Sequence, residues 1–379
     1  MIQLIDKSNC CGCEACAQVC PKGCISMERD AEGFLYPHAN ADSCIDCGLC
    51  EKVCPCLNAK TGKQPIAVYA AVNPDEEIRK DSSSGGVFWM LVKQTIEEGG
   101  VVFGAAFDDE RMVFHSSAET IEDARKFRGS KYVQSRVDRC YKEVHDYLKQ
   151  GRKVLFSGTA CHIAALKSYL RKEYNNLITV DVVCHGVPSP SIWKEYLKKI
   201  GNNKRITFIS FRDKTSGWRN YDFYVEYADH SFIRETHNKN LFMRGYLHGL
   251  YLRPSCHKCI FKSGKCESDI TLGDFWGVEK VLPMMDDNRG VSVVMANTKN
   301  GMTQLQNFYS ILKELEYEKV VAGNPSIIKA TAEPVYRRIF MNHYLNGEGI
   351  NATVDVLKQM RPSLMKRLLN RAERLFKNL

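Results

Sequence analysis

The chain of 379 residues has no run of about eighteen apolar residues, the length a membrane span needs, and Met1 to Asn9 lacks the apolar core of a signal peptide. Export is therefore not expected, and a reducing cytoplasm is the expected compartment. Apart from one doubled cysteine motif the chain has no internal repeat. No helix-turn-helix or finger pattern accompanies its formal charge of +9, and the charge is scattered, so no nucleic acid is expected as a partner. Residues 1–60 carry five Lys/Arg against eight Asp/Glu, a net −3, which leaves +12 for the remainder. A basic body of this kind suits anionic cofactors or an acidic redox partner. At 44% hydrophobic and 26% charged residues, the composition is that of a globular chain long enough for two or three domains.

Cysteine is abundant: there are seventeen. Without an export signal, metal thiolates are the better reading than disulfides. The stretch "CCGCEACAQVCPKGC" resolves into Cys10-x2-Cys13-x2-Cys16-x3-Cys20-Pro21, and the pattern recurs as Cys44-x2-Cys47-x2-Cys50-x3-Cys54-Pro55. This is the bacterial two-cluster ferredoxin spacing, in which the fourth cysteine of each run serves the other cluster. Cys10, Cys13, Cys16 and Cys54 are expected to hold one 4Fe–4S cube, and Cys44, Cys47, Cys50 and Cys20 the second. A pair of zinc knuckles is the alternative, but such sites usually pair two CxxC units. Cys11, Cys24 and Cys56 have no place in the pattern and are expected to fill core. Between the runs, "ISMERDAEGFLYPHAN" has the alternation and the Gly33 turn of a hairpin.

"LNAKTGKQP" (57–65) reads as a linker. Beyond it, strand patterns such as "AVYAAVN", "VVFGAAF", "KVLFSGT" and "LITVDVVCHG" alternate with helical ones such as "GGVFWMLVKQTIEEGG" and "CHIAALKSYLRKEY". "ITFISFRD", "YDFYVEYAD" and "SFIRETH" suggest an antiparallel meander attached to the same sheet. The expected fold is an α/β body with a mixed, partly parallel sheet and that meander, behind a small N-terminal bacterial-type two-cluster ferredoxin domain. The expected boundaries are 1–60, 66–345 and a basic C-terminal helix over 346–379.

Several stretches look like sites. "DSSSGGVF" sets Ser82, Ser83, Ser84, Gly85 and Gly86 directly before a helix, where backbone N–H groups can meet a phosphate or a flavin edge. "FRGSKYVQS" adds Arg128, Gly129, Ser130 and Lys131. "SGTACHIAAL" lies at a strand-to-helix crossing, where open α/β sheets bind ligands. Cys161 sits on that crossing, Cys184 ends the next strand, and Cys256 and Cys259 form a CxxC. These four could assemble a third 4Fe–4S cluster from distant segments, with Cys266 as a rival ligand. The plain alternative makes Cys161 and Cys184 packing residues and the CxxC a redox pair or half a zinc knuckle. Cys140 is expected in the core.

"GTACHIAALK", "VVCHGVPSP", "FRDKTSGW" and "SDITLGDFWG", in this order behind a two-cluster ferredoxin, resemble the beta-subunit family of coenzyme F(420) hydrogenases and dehydrogenases over roughly residues 1–340. The resemblance implies FAD and 4Fe–4S centres, and electron exchange between an organic hydride carrier and iron–sulfur chains. It implies an FAD pocket walled by Ser82 to Gly86, Arg128 to Lys131, Gly158, Thr159, His185 and Gly186, and it supports Cys161, Cys184, Cys256 and Cys259 as cluster ligands. Lys131 and Arg128 would stabilise the reduced ring, and His185, with a reference pKa near neutrality, is the candidate proton relay. Asp274 and Trp276 would pack by the flavin or close their loop. The family usually has Pro-Cys-Gln after Gly-Thr, whereas this chain has Ala160-Cys161-His162; His162 is expected to replace the Gln amide as a donor.

The donor or acceptor is expected to be a reduced deazaflavin or another organic substrate, with a redox protein or complex as partner. The rival expectation is a non-catalytic electron-transfer subunit docking a larger enzyme, linked in a bacterium to surface polysaccharide synthesis. A third reading, a metal-stabilised binder of nucleic acid or acidic polymer, predicts no flavin at all. The tail from Leu357 to Leu379 carries seven Lys/Arg against one Glu, with Leu364, Leu368, Ala372, Leu375, Phe376 and Leu379 on one helical face. It is expected to pack on its own domain or to make a peripheral membrane contact.

Overall fold

In the head of the chain, β1 (Ile25–Arg29) and β2 (Leu35–Ala39) form the expected hairpin, with Met27 opposite Pro37. Gly33 makes its turn at φ +89°, and a Cβ there would meet the Ser191 side chain at 2.4 Å. The turn is thus pressed onto the body. The structure, a computed structural model, describes residues 1–60, 64–262 and 267–360. Cys266 and the tail over 361–379 lie outside the described residues.

The body begins with β3 (Ala67–Ala71), β4 (Val101–Phe107), β5 (Val113–Ala118), β6 (Val154–Thr159) and β7 (Leu177–Val182). Next come β8 (Ile206–Asp213), β9 (Asp222–Tyr227) and β10 (Phe232–Thr236), then β11 (Ile270–Asp274), β12 (Ser292–Ala296) and β13 (Lys313–Glu314). Eight of these form one mixed sheet in the order β13-β3-β12-β11-β7-β6-β4-β5. The inner strands β11, β7, β6 and β4 run parallel, and antiparallel pairs flank them.

Period-two alternation places Val102, Leu155, Ile178 and Val180 against the helix Val87–Glu97 on one face. It places Val101, Phe103, Val154 and Phe156 against the helices Cys140–Lys149 and Ala160–Leu170 on the other. Strands covered on both faces read as near-continuous apolar runs, which is why "VLF" and "LITV" were legible.

The meander forms a three-stranded sheet of its own, β10-β9-β8, instead of extending the large sheet. Its inner face carries Phe211, Phe223, Val225 and Tyr227, too much apolar area for an edge extension. That face closes on the helices Pro190–Gly201, Leu241–Leu247 and Ala352–Gln359 in a separate core. At its centre Trp193 is fully buried, with ring centroids 5.0 Å from Phe211 and 4.9 Å from Phe242. Among the described residues no helix is long and apolar enough to cross a membrane.

Polar ties fix the head to the body. Glu14 is buried and accepts the N–H groups of Val137 and Asp138 at 3.0 and 2.9 Å. Burial raises its pKa, and those two bonds work in the opposite direction. Gln18 accepts the Tyr141 N–H at 3.1 Å, Ser189 donates to the Glu32 carbonyl at 2.6 Å, and Arg337 pairs with Glu32.

Candidate functional site

Strand register builds the site. In the parallel β6–β7 pair, Thr159 stands beside Val182. Cys161 follows the first by two residues and Cys184 the second by two, so pairing alone sets both thiols at the carboxyl edge of the sheet. Open α/β sheets bind ligands outside this edge. The short helix Pro254–His257 brings Cys256 and the CxxC partner Cys259 to the same place. Gly186 allows the approach: it sits at φ +138°, and a Cβ there would meet Leu252 at 2.8 Å and Cys256 at 3.2 Å.

The result is a cavity of ≈ 470 Å³ walled by Cys161, Cys184, Cys256 and Cys259, together with Cys11 and Cys56 from the head. Thr159, His185, Gly186 and Lys262 add polar groups; Val182, Val183, Met295 and Tyr317 add apolar wall. This is the size range of small-molecule and cofactor sites. Cys11 and Cys56, expected only to fill core, share this wall: they pack with Cys13 and Cys161. The signal that could have found them is their place immediately beside motif cysteines, at Cys10-Cys11 and Cys54-x-Cys56.

The environment favours thiolate at Cys161. Its pKa is lowered to about 7, chiefly by the adjacent Cys11 thiol; burial opposes this, and the Thr159 hydroxyl at 3.0 Å assists it. Cys184 is raised by burial, and Cys256 accepts the Val187 N–H at 3.4 Å. His185 is held below its ordinary pKa by burial, then by Lys262. Its Nδ1 lies 3.3 Å from the Thr331 hydroxyl, and its buried Nε2 has no hydrogen-bond partner.

In the head, Cys20, Cys44, Cys47 and Cys50 wall one small cavity, joined by Cys24, whose sulfur is 3.3 Å from that of Cys20. Cys10, Cys13, Cys16 and Cys54 gather on the other side: the Cys16 thiol is raised to about 12 by burial first, then by Cys10 and Cys54. In each grouping, thiols of the two runs meet. Among the described residues no three His, Cys, Asp or Glu side chains converge on a single-ion point.

The residues expected around FAD fall into two groups. Gly158, Thr159, His185 and Gly186 belong to the carboxyl edge, and all but Gly158 line the cysteine cavity. Ser82 to Gly86 and Arg128 to Lys131 meet one another elsewhere, where the Ser130 N–H donates to the Ser83 hydroxyl at 2.7 Å. There Ser82 donates to the Ile78 carbonyl, Ser84 donates to the Val291 carbonyl and Gly85 N–H donates to Ser292. Arg128 stacks 4.0 Å from the Trp89 ring centroid and pairs with Asp81, leaving its buried Nε unpartnered.

Lys131 is half-buried as a residue, but its ammonium is enclosed by protein and donates to the carbonyls of Arg128 and Gly129. Desolvation lowers it to about 7. A ring stack joins the two groups: Tyr132 lies 4.8 Å from Tyr246, which meets His185 edge-on at 5.2 Å. Asp274 binds the buried Arg212 at 2.8 Å and accepts the Trp218 indole N–H at 3.2 Å, and Trp276 stacks on Trp218 at 4.5 Å. His162 is buried edge-on against His115 at 5.0 Å, with its Nδ1 without a hydrogen-bond partner.

Residues 151–320 match the family model for the C terminus of the coenzyme F(420) hydrogenase/dehydrogenase beta subunit, and residues 9–58 match a 4Fe–4S dicluster domain. The F subunit of the F(420)H(2) dehydrogenase of Methanosarcina mazei is 22% identical over 191 residues, covering 47% of this chain and 53% of that protein. A ferredoxin of Methanocaldococcus jannaschii is 35% identical over 52 residues, 14% of this chain and 66% of that protein. The chain thus spans about half to two thirds of the length of these curated relatives. A chain in the structure of the F(420)-reducing [NiFe] hydrogenase complex from Methanosarcina barkeri aligns with TM-score 0.48 and 18% identity, covering 79% of this chain and 93% of that one. Residues 151–320 thus carry a domain of the coenzyme F(420) hydrogenase/dehydrogenase beta-subunit family, joined to a 4Fe–4S dicluster domain on residues 9–58.

Proposed function

We propose that this chain is an iron–sulfur flavoprotein oxidoreductase passing electrons between an organic hydride donor or acceptor, FAD and 4Fe–4S clusters. The observation that carries the reading is the cysteine cavity at the carboxyl edge of the sheet, with His185 and Thr159 in its wall. Cys10, Cys13, Cys16 and Cys54 hold the first head cluster; Cys44, Cys47, Cys50 and Cys20 hold the second; Cys161, Cys184, Cys256 and Cys259 hold a third. The buried, unpartnered His185 Nε2 and Arg128 Nε suit a bound polar cofactor.

Bound FAD would supply the exchange between two-electron hydride chemistry and single-electron transfer. Lys131, whose ammonium bonds only to carbonyls, offers a positive charge to an electron-rich ring edge. His185 holds or gives up a proton at Nε2. Val182, Met295 and Tyr317 give the cavity an apolar wall. A deazaflavin is the substrate the family points to, and a cytoplasmic redox complex is the setting proposed.

Anaerobic purification of the full chain, with iron, sulfide and flavin assayed, tests this reading. About twelve irons and one FAD per chain are expected; a colourless protein, or zinc in place of iron, overturns it. The second reading, a docking subunit without its own substrate, is favoured by a relative that is named as one part of a larger enzyme. It predicts that no hydride donor bleaches the isolated chain's flavin.

The buried Lys131 ammonium has a consequence for pH. Its pKa falls from 10.5 to about 7, so between these values the unfolded chain binds the extra proton and stability rises with pH. Below about pH 7 the lysine is charged in both states and the cost of burying it is fully present. Lys131→Met is expected to lose this part of the rise, seen as a smaller gain in urea midpoint between about pH 7 and about pH 10 than in the wild-type chain.

A further inference from the structure

Arg253 is fully buried where the head meets the body. Its Nε donates to the Cys10 carbonyl at 2.8 Å, and its terminal nitrogens donate to the Leu35 carbonyl at 2.9 Å, the Gln134 side-chain oxygen at 3.0 Å and the Cys10 sulfur at 3.6 Å. None of these partners is a carboxylate. Its guanidinium also lies 4.2 Å from the Tyr36 ring centroid and 5.4 Å from that of Phe34. Gly12 makes the approach possible: at φ +69°, a Cβ there would meet Gln134 at 2.5 Å and Arg253 at 2.6 Å. A buried cation without an anion is strongly unfavourable, so this architecture calls for negative charge on the sulfur it faces.

The second head cluster has the opposite setting. Cys47 is exposed, the Asp46 N–H lies 3.4 Å from the Cys44 sulfur, and the carboxylates of Asp46 and Glu51 stand on the same side, bound to the amino terminus. Charge and solvent exposure are among the factors that set iron–sulfur potentials. Exposure and the N–H at Cys44 favour reduction of the second cluster, its two carboxylates oppose it, and Met1 and Lys22 also line its site; what sets the half nearer the body apart is a buried guanidinium with no carboxylate among its hydrogen-bond partners.

We propose that Arg253 is the built-in counter-charge of the first head cluster, holding the reduction potential of the Cys10-ligated centre above the value it would have without the guanidinium. The centre it serves lies on the side where Cys11 and Cys56 adjoin the body cavity. Arg253 is a positioning residue, acting through the cluster's charge. The inference rests on the ligand set proposed for the head and is independent of flavin.

The test is an anaerobic redox titration of the full chain followed by electron paramagnetic resonance, with iron assayed. In Arg253→Gln one head cluster is expected to become at least tenfold harder to reduce, about 59 mV more negative for a one-electron couple, while the other stays in place. Arg253→Lys keeps the charge and is expected to stay within tenfold of the wild type. Loss of one cluster's iron in Arg253→Gln but not in Arg253→Lys also supports the proposal. Unchanged potentials in Arg253→Gln, equal shifts of both clusters, or the same tenfold drop or iron loss in Arg253→Lys overturns it. Cys10→Ser, run alongside, is expected to abolish the signal that Arg253→Gln shifts. Its survival overturns the ligand set and the proposal with it, whereas an unmoved potential in Arg253→Gln overturns the proposal alone.

Discussion

Replacing Cys256 and Cys259 together with serine is expected to lower bound iron from about twelve to about eight per chain, leaving both head clusters intact. The expectation follows from how the cavity is assembled. β6 and β7 supply Cys161 and Cys184 by register, and the segment after Pro254 supplies the other two thiols. Serine keeps the size of each side chain but removes half of the proposed thiolates. The head thiols lie on other segments, so their paramagnetic signals should persist. Twelve irons in the variant would show that other thiols, Cys11 and Cys56 on the same wall or Cys266, serve as ligands in their place. Eight irons in both proteins would make the cavity thiols a packing feature.

Asp274→Ala is expected to cost about 3–5 kcal/mol, because it strands the Arg212 guanidinium without its partner in the interior. Arg212 is 6% exposed, and the Asp274 carboxylate is its one acidic partner by ion-pair contact among the described residues. The guanidinium also rests 4.1 Å from the Tyr221 ring centroid and 5.5 Å from that of Trp276. Removing both charges, in Arg212→Met with Asp274→Leu, should recover most of the loss, since neither group is then left unpaired. Urea unfolding of the wild type, Arg212→Met, Asp274→Leu and the double variant closes the cycle. A loss below about 1 kcal/mol in Asp274→Ala would mean that the pair behaves like a surface ion pair. The "GDFWG" segment owes its shape to this pair and to the Trp218–Trp276 stack.

The head was legible because its chemistry is written locally: three thiols at two-residue intervals followed by Cys-Pro permit few alternatives. The inner strands were legible for a related reason, since burial on both faces leaves runs such as "LITV". β11, β12 and β13 escaped notice as strands, although "SDITLGDFWG" stood out as a motif. β11 pairs parallel with β7, about ninety positions earlier in the chain, and β12 and β13 close around β3. Such pairings leave no local spacing to read. The same applies to Arg253, whose partners Cys10, Leu35 and Gln134 lie more than a hundred positions away. Its only local trace is its place just before the Cys256–Cys259 pair. The place of Ser82 and Ser84 before a helix was legible, but not that both hydroxyls donate to backbone carbonyls.

The ties of Glu14, Gln18 and Glu32 oppose one mode of operation. A carrier that ferries charge by swinging on a leash must shed its contacts in every cycle, and here shedding them would uncover a carboxylate and a guanidinium together. The electron traffic proposed for this molecule would therefore run along a stationary track. Its internal pace should be indifferent to solvent viscosity, leaving arrival and departure of outside molecules as the steps that viscosity slows.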